Sequence, residues 1–146
     1  MPGIVVGVDG SSNSEYALDW AMKEAAIRHA PLRVIAVHDV VRSYITGDPV
    51  IFPTDNPDLE RTRLGANELV QRAASRIGDA GPTSVTVSAL NGFAASELIN
   101  ASKDADLIVV GSRGGGGFGR LLLGSVSSQV VHHAECPVVV VPHKAT

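Results

Sequence analysis

Residues 107–127, LIVVGSRGGGGFGRLLLGSVS, run from an apolar stretch through a series of glycines into a segment with helical periodicity. Glycine accepts positive φ and lets the backbone come close to a ligand, so several main-chain N–H groups can converge on one small anion. The spacing is Gly111-x2-Gly114-x9-Gly124-Ser125, and the ligand chemistry it points to is phosphate. Two familiar phosphate patterns are approached without being met. Gly119-x4-Gly124-Ser125 starts like the GxxxxGK[ST] loop, but serine stands where the lysine must, so the point charge for the terminal phosphates is missing. A GxGxxG can be read at Gly114, Gly116 and Gly119, but any glycine run matches it somewhere, and this one follows the fourth apolar run of the chain rather than the first.

Such a loop needs rigid elements on both sides. Ile4 to Val8, Val34 to Val37, Val85 to Leu90, Leu107 to Val110 and Val138 to Val141 are rich in β-branched residues and read as strands. All but the third are nearly continuous rather than alternating, the pattern of strands covered on both faces. Between them the spacing predicts helices over Tyr16–His29, Leu59–Ile77, Ala94–Ser102 and Gly119–His133. The first would bury Ala17, Leu18, Ala21, Met22 and Ala25, and the last Leu122, Leu123, Val126 and Val130. A βαβαβαβαβ order makes an open parallel sheet with right-handed crossovers, whose ligand crevice lies beyond the carboxyl ends of the strands where the winding reverses.

The loops after the strands therefore carry the chemistry. After the first, VDGSSNSEYAL places Asp9 toward the crevice, and Ser12 with Glu15 has capping-box spacing. Ser11, Ser12 and Ser14 read as helix caps, since no histidine stands beside them to activate a nucleophile. The segment Asp39–Pro57 is long for a connection in so small a unit; it reads either as a lid or, more plainly, as an irregular crossing that packs its apolar residues on the sheet edge or on a partner subunit. Asn91 and Gly92 read as a turn. His132 and His133 point about 100° apart on a helix and, with Cys136, lack metal-site spacing, so no metal site is expected.

The 146 residues can bury roughly 70% of the surface of the unfolded chain, which predicts one domain over 1–146. A net charge of -3 with scattered lysines and arginines offers no basic stripe for nucleic acid. The lone Cys136 has no partner in the chain, and MPGIVVGVDG is neither a charged leader nor a membrane span, so a cytoplasmic protein without membrane attachment is expected.

Gly111-x2-Gly114-x9-Gly124-Ser125, together with VGVDGS, VHDV after the second strand and the closing ECPVVVVP, resembles the universal stress protein family in its ATP-binding branch, in order along essentially the whole chain. The resemblance implies a flavodoxin-like five-stranded parallel sheet of order 3-2-1-4-5 with helices on both faces. It implies ATP, with or without Mg2+, as the ligand. Asp9 would contact the adenosine part, with Gly7 and Val8 lining the base and the main chain at Asp39 reading the adenine edge. Val110 and Gly111 would border the ribose, and Gly114, Gly124, Ser125, Val126 and Ser127 would cradle the phosphates. Asp39 departs from the family, which often has an apolar residue there, so backbone recognition needs its carboxylate turned to solvent. Arg113 and Arg120 either pair with phosphate or are simply solvated.

No assured general base, catalytic lysine or acidic cluster for two metal ions is visible, so the chain reads as a nucleotide-responsive binding module of a stress or growth-arrest response, with an unidentified protein partner reading its state. A slow ATPase, with water held near Asp9 or Ser127, and a cyclic AMP-binding protein of the same fold are the alternatives. The last strand, Val138, Val139, Val140 and Val141 between two prolines, would lie on the sheet edge as a bare row of backbone groups. The family pairs that strand across a two-fold axis, which implies a homodimer.

Overall fold

The β-branched runs form the expected strands, and the computed structural model describes residues 2–39, 57–82, 84–112 and 124–142. In chain order these are β1 (Ile4–Val8), α1 (Ser12–Arg28), β2 (Leu32–Asp39), α2 (Pro57–Ile77) with a short 3-10 turn after it, β3 (Val85–Gly92), α3 (Ala94–Ser102), β4 (Leu107–Gly111), α4 (Ser125–His133) and β5 (Val138–Val141). All strand pairs are parallel and the order is β3-β2-β1-β4-β5, a doubly wound, flavodoxin-like sheet. β1 and β4 are neighbours, with Val5 opposite Ile108, so the winding reverses between them.

Strand alternation divides the core. Ile4, Val6 and Val8 of β1, with Val34, Ala36, Leu107 and Val109, pack under Ala17, Leu18, Ala21 and Ala25 of α1 and Ala66, Leu69 and Ala73 of α2. Val5, Ile35, Ile108 and Val110 face the other way, against Leu98 of α3 and Val130 of α4. Burial of each such Val, Leu or Ile contributes about 1.5–3 kcal/mol, which is why near-continuous apolar strands occupy the centre of the sheet. β3 and β5, at the edges, are only partly buried. On the outer side, Glu15 and Asp19 of α1 pair with Arg72 and Arg76 of α2, at 3.1 and 2.7 Å, tying the two helices in parallel. These pairs are partly solvated and contribute less than about 1 kcal/mol each.

Three local expectations are corrected. The first helix begins at Ser12 rather than Tyr16, because its cap is Ser11 and not Ser12: Ser11 Oγ accepts from the Ser14 N–H. Asn91 and Gly92 are strand rather than turn, since β2 extends to Asp39 and pairs His38 with Asn91 and Asp39 with Gly92. The helix foreseen from Gly119 is described only from Ser125; Gly119, Arg120, Leu122 and Leu123 lie outside the described residues, as does the interior of the Asp39–Pro57 segment. Cys136 packs beside the α3/α4 core, where desolvation, with the Asp106 carboxylate adding to it, pushes its thiol pKa up. The His132 Nδ1 lies 2.7 Å from the Ser128 carbonyl in the last turn of α4, so that nitrogen carries the proton.

Candidate functional site

A cavity of about 570 Å³, counting space open to solvent at its mouth, lies at the carboxyl ends of β1 and β4, where the winding reverses. Its floor is sheet: Gly7 and Val8 from β1, Ile35 and Val37 from β2, and Val110 and Gly111 from β4. Ala94 and Leu98 of α3 close one side, and Val126 and Ser127 of α4 the other. Asp9 and Ser14 complete the rim from the β1–α1 connection.

Two glycines make this floor possible. A Cβ on Gly7 would stand 2.8 Å from Leu98 Cδ1, and one on Gly111 would stand 3.1 Å from the carbonyl oxygen of Asn13. Both distances are shorter than ordinary contacts, so β1 and β4 must be bare where α3 and the first turn of α1 approach.

The rim is wired through the start of α1. Asp9 Oδ1 accepts from both the Ser11 N–H at 2.9 Å and the Ser11 hydroxyl at 2.5 Å. The Ser11 carbonyl in turn accepts from the Ser14 hydroxyl at 2.9 Å and the Glu15 N–H at 3.2 Å. Gly10 between them has φ 85°, a conformation that favours glycine.

Across the cavity, α4 begins directly at the mouth. Gly124 is its N-cap and offers no side-chain cap; the first intrahelical bond runs from the Ser128 N–H to the Gly124 carbonyl at 2.9 Å. The N–H groups of Ser125, Val126 and Ser127 therefore have no acceptor within the helix. With the helix dipole behind them, such amides favour negative charge. Gly124 itself is pinned by its N–H to the Ser112 carbonyl. The buried Ser127 hydroxyl donates to the Ser112 and Gly124 carbonyls, at 3.1 and 3.2 Å.

Of the residues singled out in the sequence, Gly7, Val8, Asp9, Val110, Gly111, Val126 and Ser127 meet around this cavity. Gly124 and Ser125 stand at the head of α4 beside it without lining it. Asp39 ends β2, two residues beyond the lining Val37, and Arg113 and Gly114 lie outside the described residues. Sequence reasoning missed Ser14, Ile35, Val37, Ala94 and Leu98 as cavity residues. Ser14 reads in the sequence as a helix cap, and no local signal marks it as a cavity residue.

A doubly wound sheet has, at its switch point, an apolar pocket and a helix start that, among the described residues, carries no side-chain cap. The universal stress protein family model matches residues 2–142, and the chain belongs to that family. It is 37% identical over 140 residues to a universal stress protein of Mycolicibacterium smegmatis, a match that takes in 95% of this chain and 47% of that relative. The chain thus spans about half the length of the curated relatives it matches. Among solved structures it is similar to a universal stress protein in complex with cAMP, with 26% identity, a TM-score of 0.64 and coverage of 97% of this chain and 96% of that one. It is also similar to the universal stress protein from Archaeoglobus fulgidus in complex with dAMP, with 25% identity, a TM-score of 0.60 and coverage of 96% and 97%. Among the described residues no helix is long and apolar enough to cross a membrane.

Proposed function

We propose that this protein binds ATP in the β1/β4 cavity and acts as a nucleotide-responsive signalling module, a single cytoplasmic domain over 1–146. The observation that carries the reading is the uncapped start of α4 opening onto an apolar pocket, because it supplies a phosphate subsite and a base subsite side by side. The solved relatives in complex with cAMP and dAMP support an adenine nucleotide as the ligand class. The base lies against Gly7, Val8 and the apolar wall, Asp9 accepts from the sugar, and Val110 and Gly111 border the ribose. The amides of Ser125, Val126 and Ser127 take the phosphates, joined by Gly124, Gly114 and Arg113 of the glycine loop. Asp39 contributes its main chain to the adenine edge. Any Mg2+ would accompany the triphosphate, which supplies oxygen ligands of its own.

The test is mass spectrometry of the protein as purified, followed by calorimetric titration of nucleotide-free material. Retained adenine nucleotide and saturable heat with ATP support the reading; well-folded protein that gives neither heat nor thermal protection overturns it. Cyclic AMP is the second reading, favoured by the relative solved with it. Its displacement of bound ATP at far lower concentration would make it the ligand.

The output surface follows from the sheet edge. β5 pairs with β4 on one side, and two copies joined through Val138, Val139, Val140 and Val141 would cover each other's backbone groups. Light scattering is expected to give twice the monomer mass. A monomer mass that does not change with concentration contradicts it.

A further inference from the structure

The cavity holds a polar residue that the phosphate-and-base reading leaves without a task. Ser14 lines the pocket although it is only 4% exposed, and its hydroxyl lies 2.9 Å from the Ser11 carbonyl. A carbonyl oxygen can only accept, so the single hydroxyl proton of Ser14 is committed and only lone pairs remain for a ligand. Ser127, 2% exposed on the opposite wall, is in the same state, with its proton held by the Ser112 and Gly124 carbonyls. Asp9, a carboxylate, accepts as well. The side-chain polar groups of the described cavity wall are thus acceptors toward any ligand, and the donors are backbone amides at the head of α4. A ligand that fits must bring an anion to one end and hydrogen-bond donors to the other.

We propose that Ser14 is a specificity-determining residue that accepts a hydrogen bond from a sugar hydroxyl, beside Asp9, and so selects nucleotides with an intact ribose over those lacking both ring hydroxyls. The idea rests on the nucleotide reading above and adds a residue and a selectivity to it. Ser14 and Asp9 are coupled through Ser11, which bonds to both. The two acceptors therefore share one hydrogen-bonded turn at the start of α1 and both line the cavity. The same committed proton assigns Ser127 an orienting role: its hydroxyl fastens the head of α4 to the end of β4, while its N–H faces the anion.

The experiment is calorimetric titration of wild type, Ser14→Ala and Ser14→Cys with ATP and with 2′,3′-dideoxy-ATP. Wild type is expected to favour ATP. Ser14→Ala is expected to weaken ATP by about three- to tenfold, the range for one neutral hydrogen bond, and to leave dideoxy-ATP unchanged, so that the ratio between the two shrinks. Ser14→Cys keeps the volume with a weak acceptor and is expected to follow Ser14→Ala. Equal affinity of wild type for both nucleotides, or an equal loss of both in the variants, overturns the proposal, because a purely structural role weakens the two alike. If wild type binds neither nucleotide, the nucleotide reading itself fails, whatever Ser14 does.

Discussion

Replacing Gly7 by valine is expected to weaken ATP binding by at least about a hundredfold, about 2.8 kcal/mol, and to lower stability by about 1–3 kcal/mol. Gly7 sits in β1 at the floor of the cavity, and the first added carbon would already stand 2.8 Å from Leu98 Cδ1 and 3.2 Å from Cδ2. Leu98 is buried in a core cluster with Ile35, Val110 and Val130 and also lines the cavity, so displacing its methyls disturbs both. The two further methyls of valine enter that space directly. Gly7→Ala, whose single methyl displaces only the tip of a leucine, should fall between wild type and Gly7→Val in both measurements. Calorimetry together with thermal unfolding checks this, and a Gly7→Val variant that binds ATP like wild type would place the ligand elsewhere.

Ser125→Asp is expected to raise the melting temperature of the ligand-free protein while weakening ATP by about ten- to hundredfold. Ser125 occupies the first helical position of α4, is exposed, and has no acidic neighbour in that turn. A carboxylate there complements the helix dipole by about 0.3–1 kcal/mol, so folding gains. The same charge repels phosphate at the amides it sits beside. The opposite signs are the informative part, because an ordinary structural defect lowers stability and affinity together. Ser125→Asn, similar in size and neutral, should change both much less. Tight ATP binding by Ser125→Asp would remove the head of α4 from the site.

What the sequence made legible follows from where local chemistry decides structure. All five strands were located because parallel strands of the sheet centre must be apolar on both faces, although β2 runs from Leu32 to Asp39 rather than from Val34 to Val37, and Ala94–Ser102 was recovered at both ends. The first helix buries Ala17, Leu18, Ala21, Met22 and Ala25 as its spacing required. Its start was missed because three serines compete for one cap; the winner, Ser11, is the one that the Asp9 carboxylate also grips in a local turn. Asn91 and Gly92 look like a turn alone and become strand because β2 runs on beside them to Asp39. On the site, Asp9 is legible from its place after the first strand and Gly111 from the glycine spacing, while Gly7 enters only through the family resemblance. Ile35, Val37, Ala94 and Leu98 were not legible, since an apolar residue that lines a pocket carries the same local signature as one that fills a core.

The structure also shifts the expected chemistry of the anion. Had Gly124, Ser125 and Val126 lain inside a helix begun at Gly119, their amides would have been consumed and the serine hydroxyls would have had to bind phosphate. With α4 described from Ser125, the amides at its head have no acceptor within the helix, and the Ser127 hydroxyl is committed to two carbonyls.

The account stands on those amides meeting phosphate, and an amide-resolved NMR titration with ATP observes them directly. Saturable shifts of the Ser125, Val126 and Ser127 N–H signals, together with Gly7 and Gly111 on the cavity floor, are predicted. Saturation of the protein by ATP with those five signals unmoved would contradict it.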